Sequence, residues 1–173
     1  MALSIGMQLT NPGAEIIFTH PDFHEIIGFN AETINRIYNA SDCLISTSTG
    51  EGWGLSTTEA MCAGLPVIVP NNTANMEIVG SDRGYLVKCG GDIDHMIIPY
   101  GMSSNPRDIV HSKDMLAVME HVYYNPDEAK EKARNARAWC LDHTWDQITQ
   151  RWSDFICQTQ PLLQELRDKT VAI

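Results

Sequence analysis

The run Pro66-Val67-Ile68-Val69-Pro70 restricts the fold more than any other segment of this chain. Its three consecutive β-branched residues leave no polar face, so the strand must be covered on both sides, and the flanking prolines stop it from lengthening. Similar short runs stand at Glu15-Ile16-Ile17-Phe18-Thr19, Cys43-Leu44-Ile45 and Gly84-Tyr85-Leu86-Val87, with a further candidate at Glu25-Ile26-Ile27 ending at Gly28. Helical signals lie between them. Asn30 can cap a helix whose Ile34, Ile37 and Tyr38 share one face, and Ser56 to Ala63 reads as a short helix closed by Gly64. Alternation at this spacing predicts an α/β fold, a parallel sheet with helices on its faces, whose ligands bind beyond the carboxyl ends of the strands. The Ser-, Thr- and Gly-rich loop Ser46 to Gly54 lies at that end.

The second half reads differently. Gly90 to Pro106 is a long irregular connection, and three helices follow over residues 112–169. Ser112 precedes the apolar positions Met115, Leu116, Val118, Met119 and Val122. Asn125-Pro126 opens the next helix with a cap and a proline at its first position. Thr144-x-x-Gln147 is a capping-box signature ahead of Ile148, Trp152, Phe155 and Ile156. At 173 residues the chain fits one domain, residues 1–173.

Charge limits the partners. The formal net charge is -10, which opposes the counterion release that drives most nucleic-acid binding, so no nucleic-acid partner is expected. Arg36 is the only Lys or Arg before Arg83. An anion bound in the first half must therefore rely mainly on something other than cationic side chains. The five cysteines are scattered without a C-x-x-C pair, so neither a disulfide framework nor a zinc site is expected. No apolar run approaches the ~20 residues of a membrane span, and the N-terminus lacks the pattern of a signal peptide. The expectation is a soluble, cytoplasmic protein without a transmembrane segment.

The chemistry concentrates between Thr47 and Val67. A glycine-bearing loop there delivers the start of a helix to the open edge of the sheet. Gly52 and Gly54 let the backbone approach a ligand closely, and free N–H groups at the helix start suit a phosphate. Glu51 before this point and Glu59 one turn into the helix flank it. Carboxylates accept paired hydroxyl bonds, which suits a ribose at one end and a sugar at the other. Other readings stand beside this one. Ser56-Thr57-Thr58-Glu59 is also a capping box, in which Glu59 would satisfy the Ser56 backbone N–H. Glu51 can be a solvated loop acid and Trp53 a packing residue. Asp92, Asp94 and His95 read as solvated groups rather than a metal site, and His20, His24, His111, His121 and His143 form no metal-binding pair on one helical face, so no metal is expected.

The run Ser48, Glu51, Gly52, Trp53, Gly54, Leu55, then Glu59, Ala60, Met61, then Gly64, Pro66, Val67 resembles the signature of the group 1 family of retaining GT-B glycosyltransferases. Ile26-Ile27-Gly28-Phe29, Tyr38-Asn39-Ala40-Ser41-Asp42, Glu77-Ile78-Val79 and Gly84-Tyr85-Leu86-Val87 extend the resemblance over residues 15–90. It implies a Rossmann-like sheet, the C-terminal half-domain of a GT-B fold, with residues 15–90 as a nucleotide-sugar-binding core. It further implies that Glu51 is the catalytic acid, acting by positioning and electrostatics beside the donor sugar, and that Glu59 binds the ribose hydroxyls. Gly28, Phe29, Ser48, Gly52, Trp53, Gly54, Leu55 and Ser56 complete the implied donor site. A nucleotide-diphosphate sugar is the expected substrate, with no tightly bound cofactor.

Two departures from the family pattern stand out. Thr73 and Ala74 occupy the place of the usual Gly-Gly pair ahead of Glu77, and nothing before Ala14 resembles the family's opening strand and helix, with their diphosphate-clamping Arg and Lys, or its acceptor-binding N-terminal domain. The expectation is a chain that binds donor but transfers no sugar unless an N-terminal half is supplied. The alternative is a non-catalytic nucleotide- or sugar-binding module. A glycosidase built on Glu51 and Glu59 is disfavoured because a helix start between the acids suits a phosphate better than a neutral bridge. A nicotinamide-dependent enzyme is disfavoured because no G-x-G-x-x-G follows a strand.

Overall fold

The structure, a computed structural model, describes residues 28–98 and 105–171, the side chains of residues 164–171 excepted. The strands expected at residues 15–19 and 25–27 lie outside the described residues. The chain divides into two compact units after Ile34. In the first, the described residues are Gly28, with φ 61°, Phe29 and the start of helix α1 (Ala31–Ala40). Asn30 caps that helix as expected, its Oδ1 accepting the N–H of Thr33 at 2.8 Å.

The second unit is built on a parallel three-stranded sheet in the order β1 (Leu44–Ile45), β2 (Val67–Pro70), β3 (Tyr85–Val87). Leu44 pairs with Val67 and Ile68 with Tyr85. Helix α2 (Leu55–Ala63) follows β1, and a one-and-a-half-turn helix, α3 (Thr73–Ile78), follows β2. The alternation of side chains along β2 explains why its sequence is apolar throughout. Val67 and Val69 pack with Ala60 and Met61 of α2, Ile78 of α3 and Ala136, while Ile68 points the other way, into a cluster with Tyr85, Val87 and Met115. Both faces of the central strand are thus sealed. Val67, Ile68 and Val69 are at most 1% exposed, and each such side chain contributes about 1.5–3 kcal/mol by leaving water.

Two more helices complete the covering layers: α4 (Ser112–Tyr124) supplies Met115 to one face, and α5 (Pro126–Leu141) lies against α2 through Ala136. Asn125 and Pro126 start α5 in the expected places, although the Asn125 amide turns back to donate to His121 O at 2.8 Å rather than capping α5. A last helix, α6 (Trp145–Val171), begins with the expected capping box: Thr144 N–H donates to Gln147 Oε1 at 3.2 Å and Gln147 N–H to Thr144 Oγ1 at 3.5 Å.

The expected irregular connection contains regular structure. A 3-10 turn at Ile93–His95 leads into β4 (Met96–Ile97), which pairs antiparallel with β5 (Arg107–Asp108). The glycines and polar residues of this stretch conceal β4, and β5 follows directly after Pro106, each strand only two residues long. Among the described residues no helix is long and apolar enough to cross a membrane.

Candidate functional site

The carboxyl ends of β1 and β2 open onto one depression. Ser46 N–H still bonds to Ile68 O at 2.9 Å, after which the chain leaves the sheet, and Asn71 N–H bonds to Val87 O at 2.8 Å before the next loop departs. The two loops are tied together beyond the sheet. Glu51 N–H donates to Thr73 Oγ1 at 2.9 Å, and Ala74 N–H donates to Glu51 O at 3.4 Å. Glu51 is therefore held on both sides of its own peptide, more firmly than a solvated loop acid would be. Thr73 makes this contact at φ 43°, a left-handed conformation that a β-branched residue rarely adopts. It stands where the family pattern has glycine.

The depression measures about 400 Å³ and is lined by Thr49, Glu51, Gly52, Asn72, Thr73 and Arg107 among others. That volume falls within the range of small-molecule sites. Two polar groups in this region are buried without a partner, Ser48 Oγ and Asn72 Nδ2. The Asn72 carbonyl oxygen, by contrast, accepts from Thr73 Oγ1 and Asn75 Nδ2, both at 3.3 Å.

Helix α2 starts at Leu55, one residue before the expected Ser56, because Gly54 takes the cap position at φ 84°. The first intrahelical bond runs from Thr58 N–H to Gly54 O at 3.0 Å. The N–H groups of Leu55, Ser56 and Thr57 consequently have no carbonyl within the helix to bond to. No side chain caps this helix, so the capping box weighed for Ser56 and Glu59 does not form. Glu59 instead accepts a hydrogen bond from the Tyr38 hydroxyl, whose oxygen lies 3.0 Å from Oε2. Tyr38 also reaches Ser56 O at 3.3 Å. Burial, then the bond to the Glu59 carboxylate, pushes the phenol up to about 12, so it remains a donor at any ordinary pH. One Glu59 oxygen is thereby oriented by the protein, and a carboxylate has a second to offer.

Trp53 is half-exposed, its ring centroid 6.3 Å from that of Trp139 on α5. Leu55 is 71% exposed although it begins a helix at the edge of the core. The structure thus brings Ser48, Glu51, Gly52, Trp53, Gly54, Leu55, Ser56 and Glu59 into one loop-and-helix segment. Gly28 and Phe29 belong to the other compact unit.

Four contributors escaped the sequence reading: Tyr38, Asn72, Thr73 in an anchoring role, and Arg107. Tyr38 lies two residues before the end of a helix and carries no spacing signal toward Glu59. Arg107 arrives on β5, across the irregular connection, and its guanidinium lies 3.9 Å from the place a Cβ on Gly50 would occupy. A cationic side chain thus lies beside the loop from downstream, placed there by a fold that spacing does not reveal.

A family model described as "Glycosyl transferases group 1" matches residues 20–97. Over those residues the chain is similar to the group 1 glycosyl transferases. The trehalose synthase of Pyrococcus horikoshii is 39% identical over 64 residues, 36% of this chain and 15% of that protein. The trehalose synthase of Thermococcus litoralis is 27% identical over 106 residues, 56% of this chain and 25% of that protein. Among solved structures, Anabaena HepE in complex with UDP and glucose superposes with a TM-score of 0.54 at 23% identity, covering 76% of this chain and 31% of HepE. The sucrose-phosphate synthase of Thermosynechococcus elongatus gives a TM-score of 0.59 at 19% identity, covering 78% and 29% of the two chains. These likenesses establish the α/β fold of GT-B glycosyltransferases, with its parallel sheet and trailing C-terminal helices. The chain spans less than a third of each of these proteins.

Proposed function

We propose that this chain binds the nucleotide-diphosphate sugar of a retaining glycosyltransferase, and that by itself it holds the donor without transferring the sugar. One observation carries the reading. The free N–H groups at the start of α2 stand between Glu51, anchored through Thr73, and Glu59, oriented by Tyr38. That order matches a donor read from end to end: sugar hydroxyls, diphosphate, ribose hydroxyls. Glu59 accepts from the ribose, the N–H groups of Leu55 to Ser56 meet the diphosphate, and Glu51 lies beside the sugar. Arg107 lines the depression together with Glu51 and adds a full positive charge there, whereas a helix start supplies only about half of one.

In this reading Glu51 acts by positioning and by its field on the positive charge that develops at the anomeric carbon, and no covalent nucleophile is required. UDP-glucose, with which HepE forms a complex, is the first candidate, because that protein shares this fold. Transfer also needs an acceptor held within reach of the anomeric carbon, which one face of a single sheet does not provide.

Thermal unfolding of the chain with UDP-, GDP- and ADP-sugars tests donor binding, since a ligand that binds only the folded state raises Tm. At a donor concentration of about 100 Kd the stabilisation is about 2.7 kcal/mol. At least one nucleotide sugar should raise Tm, and flat curves across all three classes would sink the proposal. Labelled donor incubated with simple acceptors should give no glycoside product. Turnover at the ~1 to 1000 per second of ordinary enzymes would show that the chain needs no further part.

A further inference from the structure

We propose that Asp92, His95 and His111 form a binding site for a first-row divalent transition ion of the zinc class, independent of the donor site. The three residues each offer a ligand atom, and those atoms lie within 4.8 Å of one another. Asp92 and His95 bracket the 3-10 turn, whereas His111 comes from the start of α4. The antiparallel return of the chain brings them together. Ile109 N–H bonds to His95 O at 2.8 Å, Gly90 N–H to Ile109 O at 3.1 Å and His111 N–H to Lys88 O at 3.0 Å, so the backbone under all three is set before any ion arrives.

One detail favours an ion over a fortuitous cluster. His111 Nε2 lies 2.8 Å from Gly90 O, and a carbonyl can only accept, so Nε2 carries the proton and Nδ1 is left with the lone pair. A ligating imidazole is normally held in this way, by its second nitrogen on a backbone carbonyl. The Asp92 carboxylate already lies against the cluster, its Oδ1 2.6 Å from His95 Nδ1. Two imidazoles and a carboxylate make a donor set of intermediate softness, which suits zinc, nickel or cobalt better than calcium or magnesium.

Closure requires one movement. The His95 and His111 rings are stacked, 3.5 Å between centroids and 4° from parallel, so their in-plane lone pairs do not yet converge. Ligands at about 2.0–2.1 Å from a tetrahedral ion stand roughly 3.3 Å apart. Binding an ion therefore requires the partly exposed His95 ring to leave the stack and Asp92 to be released from His95 Nδ1.

Cobalt(II) titration of the intact chain, followed by visible absorption, tests the proposal. One equivalent should bind saturably with d–d bands of a nitrogen and oxygen site. Zinc should shift the imidazole NMR signals of His95 and His111 and leave those of His121 in place. Loss of a metal's outer-shell partner alone costs about 10–100-fold in affinity, so His95→Ala and His111→Gln should each weaken binding at least tenfold, while His121→Gln changes nothing. A thiolate-to-cobalt charge-transfer band would assign the ion to the cysteines and overturn the site, as would binding that neither variant weakens or the absence of saturable binding. Should His111→Gln fail to fold, His95→Ala together with the NMR shifts of the unaltered chain decides the matter.

Discussion

Thr73 holds a backbone conformation that costs of order 1–3 kcal/mol, and it is kept there by the hydroxyl bond to Glu51 N–H and by the following turn of α3. Thr73→Gly removes that strain but also removes a hydrogen bond worth about 0.5–1.5 kcal/mol. Stability should therefore change little, with Tm moving by no more than about 4 °C, while UDP-glucose affinity falls as the Glu51 peptide loses its anchor. Thr73→Ser, which keeps the hydroxyl, should retain the affinity. A large loss of Tm on Thr73→Gly, measured by calorimetry, would show that the residue is not strained. The Tyr38–Glu59 pair makes a second residue-scale prediction. Glu59→Gln should weaken UDP-glucose about tenfold or more by losing a charge-assisted bond, which is worth roughly 1.5–3 kcal/mol. Tyr38→Phe should weaken it less, and the double variant should lose less than the sum, because the two groups touch. Additive effects in titration calorimetry would mean that Tyr38 does not orient Glu59. At this scale the sequence was informative where residues adjoin in the chain, as from Glu51 to Glu59. It was silent where a contact crosses elements, since neither Tyr38 nor Arg107 bears any spacing to its counterpart.

Helix α2 is the element whose limits were most legible. Its C-terminal Gly64 adopts φ 80°, with Gly64 N–H on Met61 O at 3.0 Å and Leu65 N–H on Ala60 O at 2.9 Å, the paired bonds of a Schellman ending. Gly64→Ala should cost about 1 kcal/mol for forcing a side chain into the left-handed region, a fall of about 2–4 °C in Tm. A Cβ there meets only Arg137 Cδ, at 3.9 Å, so a substantially greater loss by differential scanning calorimetry would contradict a purely backbone cause. The proline-bounded β2 was legible for a related reason: an apolar run that excludes water on both faces has few places to go. Helix α3 and the pair β4–β5 were not legible. A helix of six residues and strands of two are too short for periodicity to register, and they persist because neighbours hold them. In α6 the apolar spacing announced the helix, yet Trp152, Phe155 and Ile156 are more than half exposed, so periodicity identified a face without saying what it packs on.

For the molecule as a whole, the buried phenols make stability sensitive to alkali. Burial, first, and nearby carboxylates, second, raise both Tyr38 and Tyr85 from 10.0 to about 12. Below pH 10 these groups are protonated in folded and unfolded chains alike, and no linkage arises. Between pH 10 and 12 the unfolded chain binds fewer protons than the folded one, so stability falls as pH rises through this window and levels off above it. Urea unfolding at successive pH values should show this decline, and Tyr38→Phe should flatten part of it. An unchanged slope in that variant would exclude Tyr38 as a contributor. The α/β class followed from the alternation of runs around Val67, and the likeness to the group 1 glycosyl transferases from the register between Ser48 and Val67. Division of the chain after Ile34 followed from neither, because helix α1 runs across the boundary without a composition change. The pairing of Trp53 with Trp139, itself stacked on His143 at 4.0 Å, gives the loop an optical property of its own. One indole sits on the segment proposed to receive the donor and the other on the helical layer behind it, close enough to exchange excitation. Any ligand that shifts the loop changes the environment of the first and its distance from the second, so the protein's own ultraviolet emission reports occupancy, without a dye or a label.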